Sequence, residues 1–365
     1  MNIAILGFGT IGGGLEILLR DRSDLKVKRI FSRHVPEAFS VYDSDLETIL
    51  QDPDIDVVAE ALGGVEPAFT YLCAAIKAGK HVVTANKAVV AAHYRELADL
   101  ALRHGVAFRF SASVGGGIAW LPNLERLKRA DEIHRLGGIM NGTCNLILSR
   151  MIRQGKSFGE ALAEAQAEGY AEKDPSDDID GLDARRKLVL SANSAFDCVL
   201  PEEDVPAFGI RHVSPEDIRA AQTRGASLRL CNWAFREEDK IRMLTAPAFV
   251  PLDKPEASVW ENGNIIYCHG KRGGEYSFGG FGAGRFPTAL SMVQDLLDIA
   301  QRKPVFYQNG FEPRRPDNSG WMLRWYIRDA RGARITDPAD AGEMIAQLKA
   351  RLAAGEKLFA AVVEE

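Results

Sequence analysis

The run from Asn2 to Leu6 is short, apolar and strand-like, and it opens directly into Gly7-Phe8-Gly9-Thr10-Ile11-Gly12. A G-x-G-x-x-G pattern between a strand and a helix constrains the fold more than any other feature of this chain. The first glycine permits a tight turn, the second lets backbone approach a diphosphate, and the third lets strand and helix lie close. The helix continues through Leu15 to Arg20, and its N-terminal N–H groups and positive end suit phosphates. Gly7, Gly9, Thr10, Ile11 and Gly12 are the expected dinucleotide contacts. The bland alternative is an ordinary tight βα turn.

The rest of the first third repeats that rhythm. Strand-like runs at 26–31, 56–60, 81–84 and 106–110 alternate with helical runs near 67–78 and 88–104. Such alternation calls for an α/β fold, a Rossmann-type doubly wound parallel sheet with ligands at the strand C-termini. The second strand ends at Ser32-Arg33-His34, where an NAD site would usually carry an acid for the ribose 2′-hydroxyl. Arg33 suits a 2′-phosphate instead, so NADP is expected, with NAD as the alternative. Thr84 and Lys87 stand at another strand end and are expected to face the nicotinamide or substrate.

A second glycine cluster, Ser111-Ala112-Ser113-Val114-Gly115-Gly116-Gly117, follows the next strand. Three glycines in a row serve close backbone approach to a ligand or cation, or a hinge between domains. Beyond it the alternation stops. Helices are expected at 121–130 and 143–152, and strands at 132–140, 227–235, 240–250 and 264–269, which suggests an α+β substrate domain. The expected division is 1–125 for the dinucleotide domain, 126–285 for the α+β catalytic and dimerisation domain, and 286–310 for a helix returning to the first. A β–α–β tail of uncertain role fills 311–365, its beginning rich in Gly, Pro, Asn and Asp like a linker.

The densest chemistry lies in AQAEGYAEKDPSDDIDGLDARRK, residues 165–187. Asp183 and Lys187 are four residues apart and share one face of a helix. A lysine held against a carboxylate, with more carboxylates nearby, can protonate an alkoxide while the acids bind a cationic group. For Asp177 and Asp180 a solvated helix start favouring the macrodipole is the better reading. Cys144 is a nucleophile candidate for thiol-dependent aldehyde oxidation, without a histidine motif to activate it.

Composition agrees with an enzyme of small molecules. The 365 residues, 46% hydrophobic, suffice for two cores, and a net charge of −5 argues against nucleic acid as partner. Five dispersed cysteines with no signal peptide lead to the expectation of reduced thiols in the cytoplasm. No apolar run approaches a membrane span.

The segments GFGTIGGG, TANKAVV, SASVGGG, GGIMNGTCNLILSRM, AQAEGYAEKDPSDDIDGLDARRK and FGAGRFPTALSMVQDL occur in the order seen in homoserine dehydrogenases, over roughly residues 1–300. The chain resembles the monofunctional form of that family. The resemblance implies NAD(P)-dependent interconversion of L-aspartate 4-semialdehyde and L-homoserine, in threonine and methionine biosynthesis, by a homodimer. It implies that Lys187 and Lys87 bracket the reacting carbon, with Lys187 favoured as proton donor because Asp183 can position it. Glu172 and Asp178 would hold the substrate ammonium, Tyr170, Gly142 and Thr143 would line its pocket, and Gly284 would lie near the cofactor. The carbonyls of Val114 and Gly116 would ligate sodium or potassium, although Ser111 stands where the family often has an acid. Trp120 also departs from the family's pattern, to reshape the pocket or to fill a core. The alternatives are an oxidoreductase acting on a related hydroxy or aldehyde amino acid and a non-catalytic dinucleotide sensor.

Overall fold

The computed structural model describes residues 1–32, 42–43, 45–305 and 312–364. Arg33 and part of the expected linker after Gln308 lie outside the described residues. The chain forms two units, one of residues 1–126, 197–199 and 281–312, the other of 127–196, 200–280 and 313–365.

The first unit begins with β1 (Asn2–Leu6), α1 (Thr10–Leu19), β2 (Lys26–Phe31), β3 (Tyr42–Asp43), α2 (Leu46–Gln51), β4 (Val57–Glu60), α3 (Ala68–Lys77), β5 (His81–Thr84), α4 (Lys87–His104), β6 (Phe108–Arg109) and α5 (Trp120–Lys128). Its six strands lie in the order β3-β2-β1-β4-β5-β6, all parallel. The doubly wound sheet read from the sequence is thus the one observed. Strands buried on both faces read as continuous apolar runs, and Ile3 to Leu6 and Val57 to Ala59 are fully buried. The strand order reverses between β1 and β4, whose C-terminal residues Leu6 and Glu60 are register partners. In such sheets the ligand crevice opens at that switch point. Trp120 is fully buried, so it fills core.

The second unit continues with β7 (Ile133–Ile139), α6 (Gly142–Gln154), α7 (Phe158–Ala167), α8 (Ser176–Ile179) and α9 (Leu182–Phe196); the short β8 (Cys198–Val199) belongs to the first unit, and the second resumes with α10 (Pro215–Gln222), β9 (Ala226–Glu237), β10 (Lys240–Pro251), β11 (Gly263–Gly270) and β12 (Gly274–Phe281). Then α11 (Arg285–Ala300) belongs to the first unit, where Ala289, Met292 and Leu296 join Ile3, Ile5, Leu15 and Leu19 in one apolar cluster. The last elements are β13 (Glu312–Pro313), β14 (Met322–Asp329), β15 (Gly332–Ile335), β16 (Ala339–Asp340), α12 (Ala341–Ala353) and β17 (Phe359–Val363).

The second sheet runs β12-β11-β7-β9-β10-β17-β14-β15, with β16 beside β14. The β–α–β tail expected at 311–365 has its strands and helix in β14, α12 and β17. Strand β17 pairs parallel with β10 and antiparallel with β14, so the tail extends the central sheet. The reason is burial on both faces. Phe359 and Ala361 pack with α6, α7 and α10 residues, whereas Ala360 and Val362 pack with Ile345 and Leu348 of α12.

Trp325 on β14 is fully buried, edge-on to Phe208 with ring centroids 6.1 Å apart. Its indole N–H has no hydrogen-bond partner among the described residues. Trp325→Ala is therefore expected to cost ~3–5 kcal/mol, the usual range for truncating a buried Trp. Trp325→Phe should cost far less, because no hydrogen bond is lost. Urea denaturation checks both. An unchanged midpoint in Trp325→Ala would mean that the tail is a loose appendage.

Candidate functional site

The glycine turn of the first unit has the conformations its spacing demands. Gly7 has φ +92°, and a Cβ there would sit 2.8 Å from the Ala61 carbonyl oxygen. A Cβ on Gly12 would sit 1.9 Å from the Gly7 carbonyl oxygen, so only glycine lets α1 start so close to β1. A Cβ on Gly9 would meet nothing within 4 Å, which leaves open space above the turn. Thr10 is exposed, Ile11 is half-buried, and the first turn of α1 carries no acid to oppose an anion. Gly9 as N-cap offers no side-chain acceptor to the helix N–H groups. The arrangement fits a bound diphosphate.

At the ends of β4 and β5, Glu60 is fully buried and accepts from the Leu62 N–H at 2.6 Å and from the Thr84 hydroxyl. The Thr84 hydroxyl accepts in turn from the Asn86 N–H at 2.9 Å. Asn86 donates to the Gly64 carbonyl at 2.6 Å and caps α4 through the Val89 N–H at 3.3 Å. Lys87 is the first residue of α4 and half-buried. The hydroxyl of Thr84, expected to face a ligand, is enclosed and engaged, and what it supplies is support for Asn86 and hence for Lys87. Nothing in the sequence singled out Glu60 or Asn86; a buried acid at a strand end was the available signal.

Gly116 and Gly117 serve close approach within the first unit. A Cβ on Gly116 would lie 2.5 Å from Gly282 backbone, and one on Gly117 would lie 2.9 Å from Pro287 Cβ. Around them Ser111 donates through its N–H (2.9 Å) and its hydroxyl (2.6 Å) to Asp295 of α11, while Arg109 reaches Asp298 at 3.3 Å. The Ser291 hydroxyl donates to the Gly116 carbonyl. The cation expected at Val114 and Gly116 is poorly provided for: Ser111 brings no carboxylate, and one of the two carbonyls is already engaged. Gly284 has φ +132° and is the exposed N-cap of α11.

In the second unit the acid–lysine cluster assembles around the start of α6. Lys187 donates from Nζ to Asp183 Oδ2 at 2.8 Å and to the Met140 carbonyl at 2.9 Å. Asn141 donates from Nδ2 to Asp178 at 2.6 Å and to Asp183 at 2.8 Å, and its Oδ1 caps α6 by accepting the Cys144 N–H at 2.7 Å. Lys187, Asp183 and Asn141 are all buried. An ammonium has three donors, and the third of Lys187 has no partner among the described residues. Gly142 allows close approach, since a Cβ there would stand 2.8 Å from the Asn262 carbonyl oxygen. The Thr143 hydroxyl donates to the Tyr170 carbonyl at 3.1 Å, tying the half-exposed Tyr170 to α6. Glu172 is exposed, and its carbonyl accepts from Gln166.

The remaining acids have surface work. Asp177 pairs with Arg186 at 2.9 Å and Asp180 with Arg211 at 2.6 Å. Cys144 is fully buried, its thiol donating to the Asp178 carbonyl, and burial beside Asp178 and Asp183 pushes that thiol well above its ordinary range. Such burial works against a nucleophilic thiolate there. Asn141 is the residue that sequence reasoning missed; its place just before Gly142, as the N-cap of an apolar-periodic helix, was the signal.

Burial pushes the Glu60 carboxyl up to about 7, against the opposing hydrogen bonds from Thr84, Leu62 and Asn86. It does the same to Asp295, against the hydrogen bond of Ser111 and the charge of Arg109. A carboxyl with a folded pKa above its unfolded one holds a proton that the unfolded chain has released. Its contribution favours folding at low pH and is lost as pH rises through the folded pKa. In wild type that contribution from Glu60 is expected to disappear between about 4.5 and about 7. Glu60→Gln should therefore flatten the fall of the urea midpoint over that window, and an identical slope would remove Glu60 as the cause.

Two family models match the chain, "Homoserine dehydrogenase" over residues 120–297 and "Homoserine dehydrogenase, NAD binding domain" over residues 7–111. The homoserine dehydrogenase of Bacillus subtilis is 37% identical over 314 residues, 82% of this chain and 72% of that protein. That of Synechocystis is 39% identical over 316 residues, 82% of this chain and 73% of its own. Among solved structures, a homoserine dehydrogenase from Thiobacillus denitrificans superposes with a TM-score of 0.89 at 29% identity, covering 100% of this chain and 98% of that one. The S. aureus homoserine dehydrogenase gives 0.79 at 28% identity with the same coverage.

Proposed function

This chain belongs to the homoserine dehydrogenase family, and from that premise we propose how its own residues carry the reaction. It is an oxidoreductase that interconverts L-aspartate 4-semialdehyde and L-homoserine with a nicotinamide dinucleotide. When bound, the dinucleotide supplies or accepts the hydride. The residues of the chain bind, orient and move the proton.

The observation that carries the assignment of roles is the state of Lys187. Its ammonium is buried and fixed by Asp183 and the Met140 carbonyl, with one donor left over. That donor is directed to the substrate's aldehyde oxygen, where negative charge develops as the carbon is reduced. The proton passes from Nζ to this oxygen, and in the oxidative direction the neutral amine takes it back. Asp183 stabilises the ammonium and orients it, and Asn141 holds Asp183 in place. Lys87, the first residue of α4, is the second lysine that the family resemblance implies for the reaction. Asp178 and Glu172 pair with the substrate ammonium, Tyr170 lines the pocket, and the N–H groups of Gly142 and Thr143 at the start of α6 receive the substrate carboxylate.

The dinucleotide is assigned as NADP on the strength of Arg33 in the sequence. Gly7, Gly9, Thr10, Ile11 and Gly12 hold its diphosphate, and Gly284 borders it. No step is routed through sodium or potassium, since Ser111 and the engaged Gly116 carbonyl offer a poor ligand set. A homodimer is proposed from the family resemblance, and light scattering showing single chains would remove it. Five cysteines, all free, support a reducing compartment such as the cytoplasm. Among the described residues no helix is long and apolar enough to cross a membrane.

Following nicotinamide absorbance with each substrate in turn tests the whole reading, and turnover in both directions is expected. Lys187→Ala should lose roughly 10²–10⁴-fold in turnover while keeping its cofactor affinity. Near-wild-type turnover in a folded Lys187→Ala protein would refute the proton role. Cys144→Ser, by contrast, is expected to turn over almost normally, since the thiol only donates to a carbonyl; a collapse of activity there would reopen thiol chemistry.

A further inference from the structure

The dinucleotide pattern ends at Gly12, yet Gly13 and Gly14 follow it, and both are buried. Their reason lies in α11. A Cβ on Gly14 would stand 2.8 Å from Arg285 Cγ and 3.0 Å from the Arg285 carbonyl oxygen. One on Gly13 would stand 3.4 Å from Arg285 Nη2. The two bare positions therefore make a track on α1 into which the Arg285 side chain lies. Its stem is at Gly14 and its guanidinium at Gly13, so it points toward the N-terminal end of α1.

That placement is electrostatically odd without an anion. Arg285 is exposed, sits over the Phe286 ring at 5.5 Å, and makes no hydrogen bond or ion pair among the described residues. It is the first residue of α11, and neither α11 nor α1 carries an acid in its first turn. A cation near the positive end of a helix is unfavourable. Here one guanidinium lies close to two such ends. The charges make sense together when an anion with several oxygens comes between them.

We propose that Arg285 is a cofactor-binding residue that donates to the diphosphate of the bound dinucleotide, with Gly13 and Gly14 present to let it lie along α1. The inference deepens the dinucleotide-binding reading above and rests on it. Because both cofactors share the diphosphate, Arg285 sets affinity for the dinucleotide class and does not discriminate the 2′-phosphate.

Fluorescence titration of the full-length protein with NADPH and with NADH tests this. Arg285→Gln keeps Cβ and Cγ against Gly14 and removes the guanidinium with its charge. It is expected to weaken both cofactors by the same factor, roughly tenfold, as for one partly solvated charge-assisted contact. Arg285→Lys should recover part of the loss, and the dependence of affinity on salt should be shallower in Arg285→Gln than in wild type. Unchanged affinity for both cofactors in Arg285→Gln would overturn the proposal. Loss for NADPH alone would overturn it too, by placing Arg285 at the 2′-phosphate. If wild type binds neither cofactor, the dinucleotide reading itself fails, which is a separate result. A thermal melt confirms that the variant is folded, as expected for an exposed position.

Discussion

Asn141 spends both amide hydrogens and its amide oxygen on the substrate end of the second unit. Its Oδ1 closes the first turn of α6, and its Nδ2 lies between Asp178 and Asp183. Asp183 in turn holds Lys187, which also reaches back to the carbonyl of Met140, one residue before Asn141. A buried charge is tolerated only when paired and hydrogen-bonded, and this circuit pairs Lys187 with Asp183 while leaving one ammonium donor over. The start of α6, the acid pair and the lysine thus form one rigid piece. Removing any member would leave a buried polar group unsatisfied, so positional accuracy and stability come from the same contacts.

The first unit uses buried carboxyls in the same manner but toward a different end. Glu60 at the tip of β4 gathers the Leu62 N–H and the Thr84 hydroxyl, and Thr84 passes the constraint to Asn86 at the head of α4. Asp295 does the equivalent for the glycine loop through Ser111. Both carboxyls are driven up to about 7 by burial, so each is a structural group whose ionisation works against the fold. Loops at the strand ends are the natural place for ligand contacts in a doubly wound sheet, and these two acids keep such loops in one conformation.

Much of this was legible beforehand. The glycine pattern and the continuous apolar strands dictated a parallel sheet, and the four-residue spacing of Asp183 and Lys187 dictated their contact on one helix face. Asp177 and Asp180 were read as a solvated helix start, and their pairing with Arg186 and Arg211 was not foreseen. The strands and helix of the tail were legible, but FAAVV reports burial on both faces without saying which strand lies alongside. Asn141 was missed because an N-cap serves its own helix in most proteins, and its second task appears only when α8 and α9 arrive. The glycines at 115–117 looked like ligand approach or a hinge, and for Gly116 and Gly117 the reason is the close passage of residues 281–287; Gly13 and Gly14 drew no reading of their own.

What the sequence determined by itself is whatever depends on near neighbours along the chain: strand and helix periods, the glycine turn, caps, and the i,i+4 lysine–acid pair. These follow from backbone geometry and side-chain spacing within a few residues. Tertiary structure alone decided which distant groups meet. It put Asp295 on Ser111, Ser291 on Gly116, Arg285 on Gly13 and Gly14, Asn141 between Asp178 and Asp183, and β17 between β10 and β14. Such meetings depend on how whole elements bury their apolar faces against one another, a property of the assembled core that no local stretch of residues encodes.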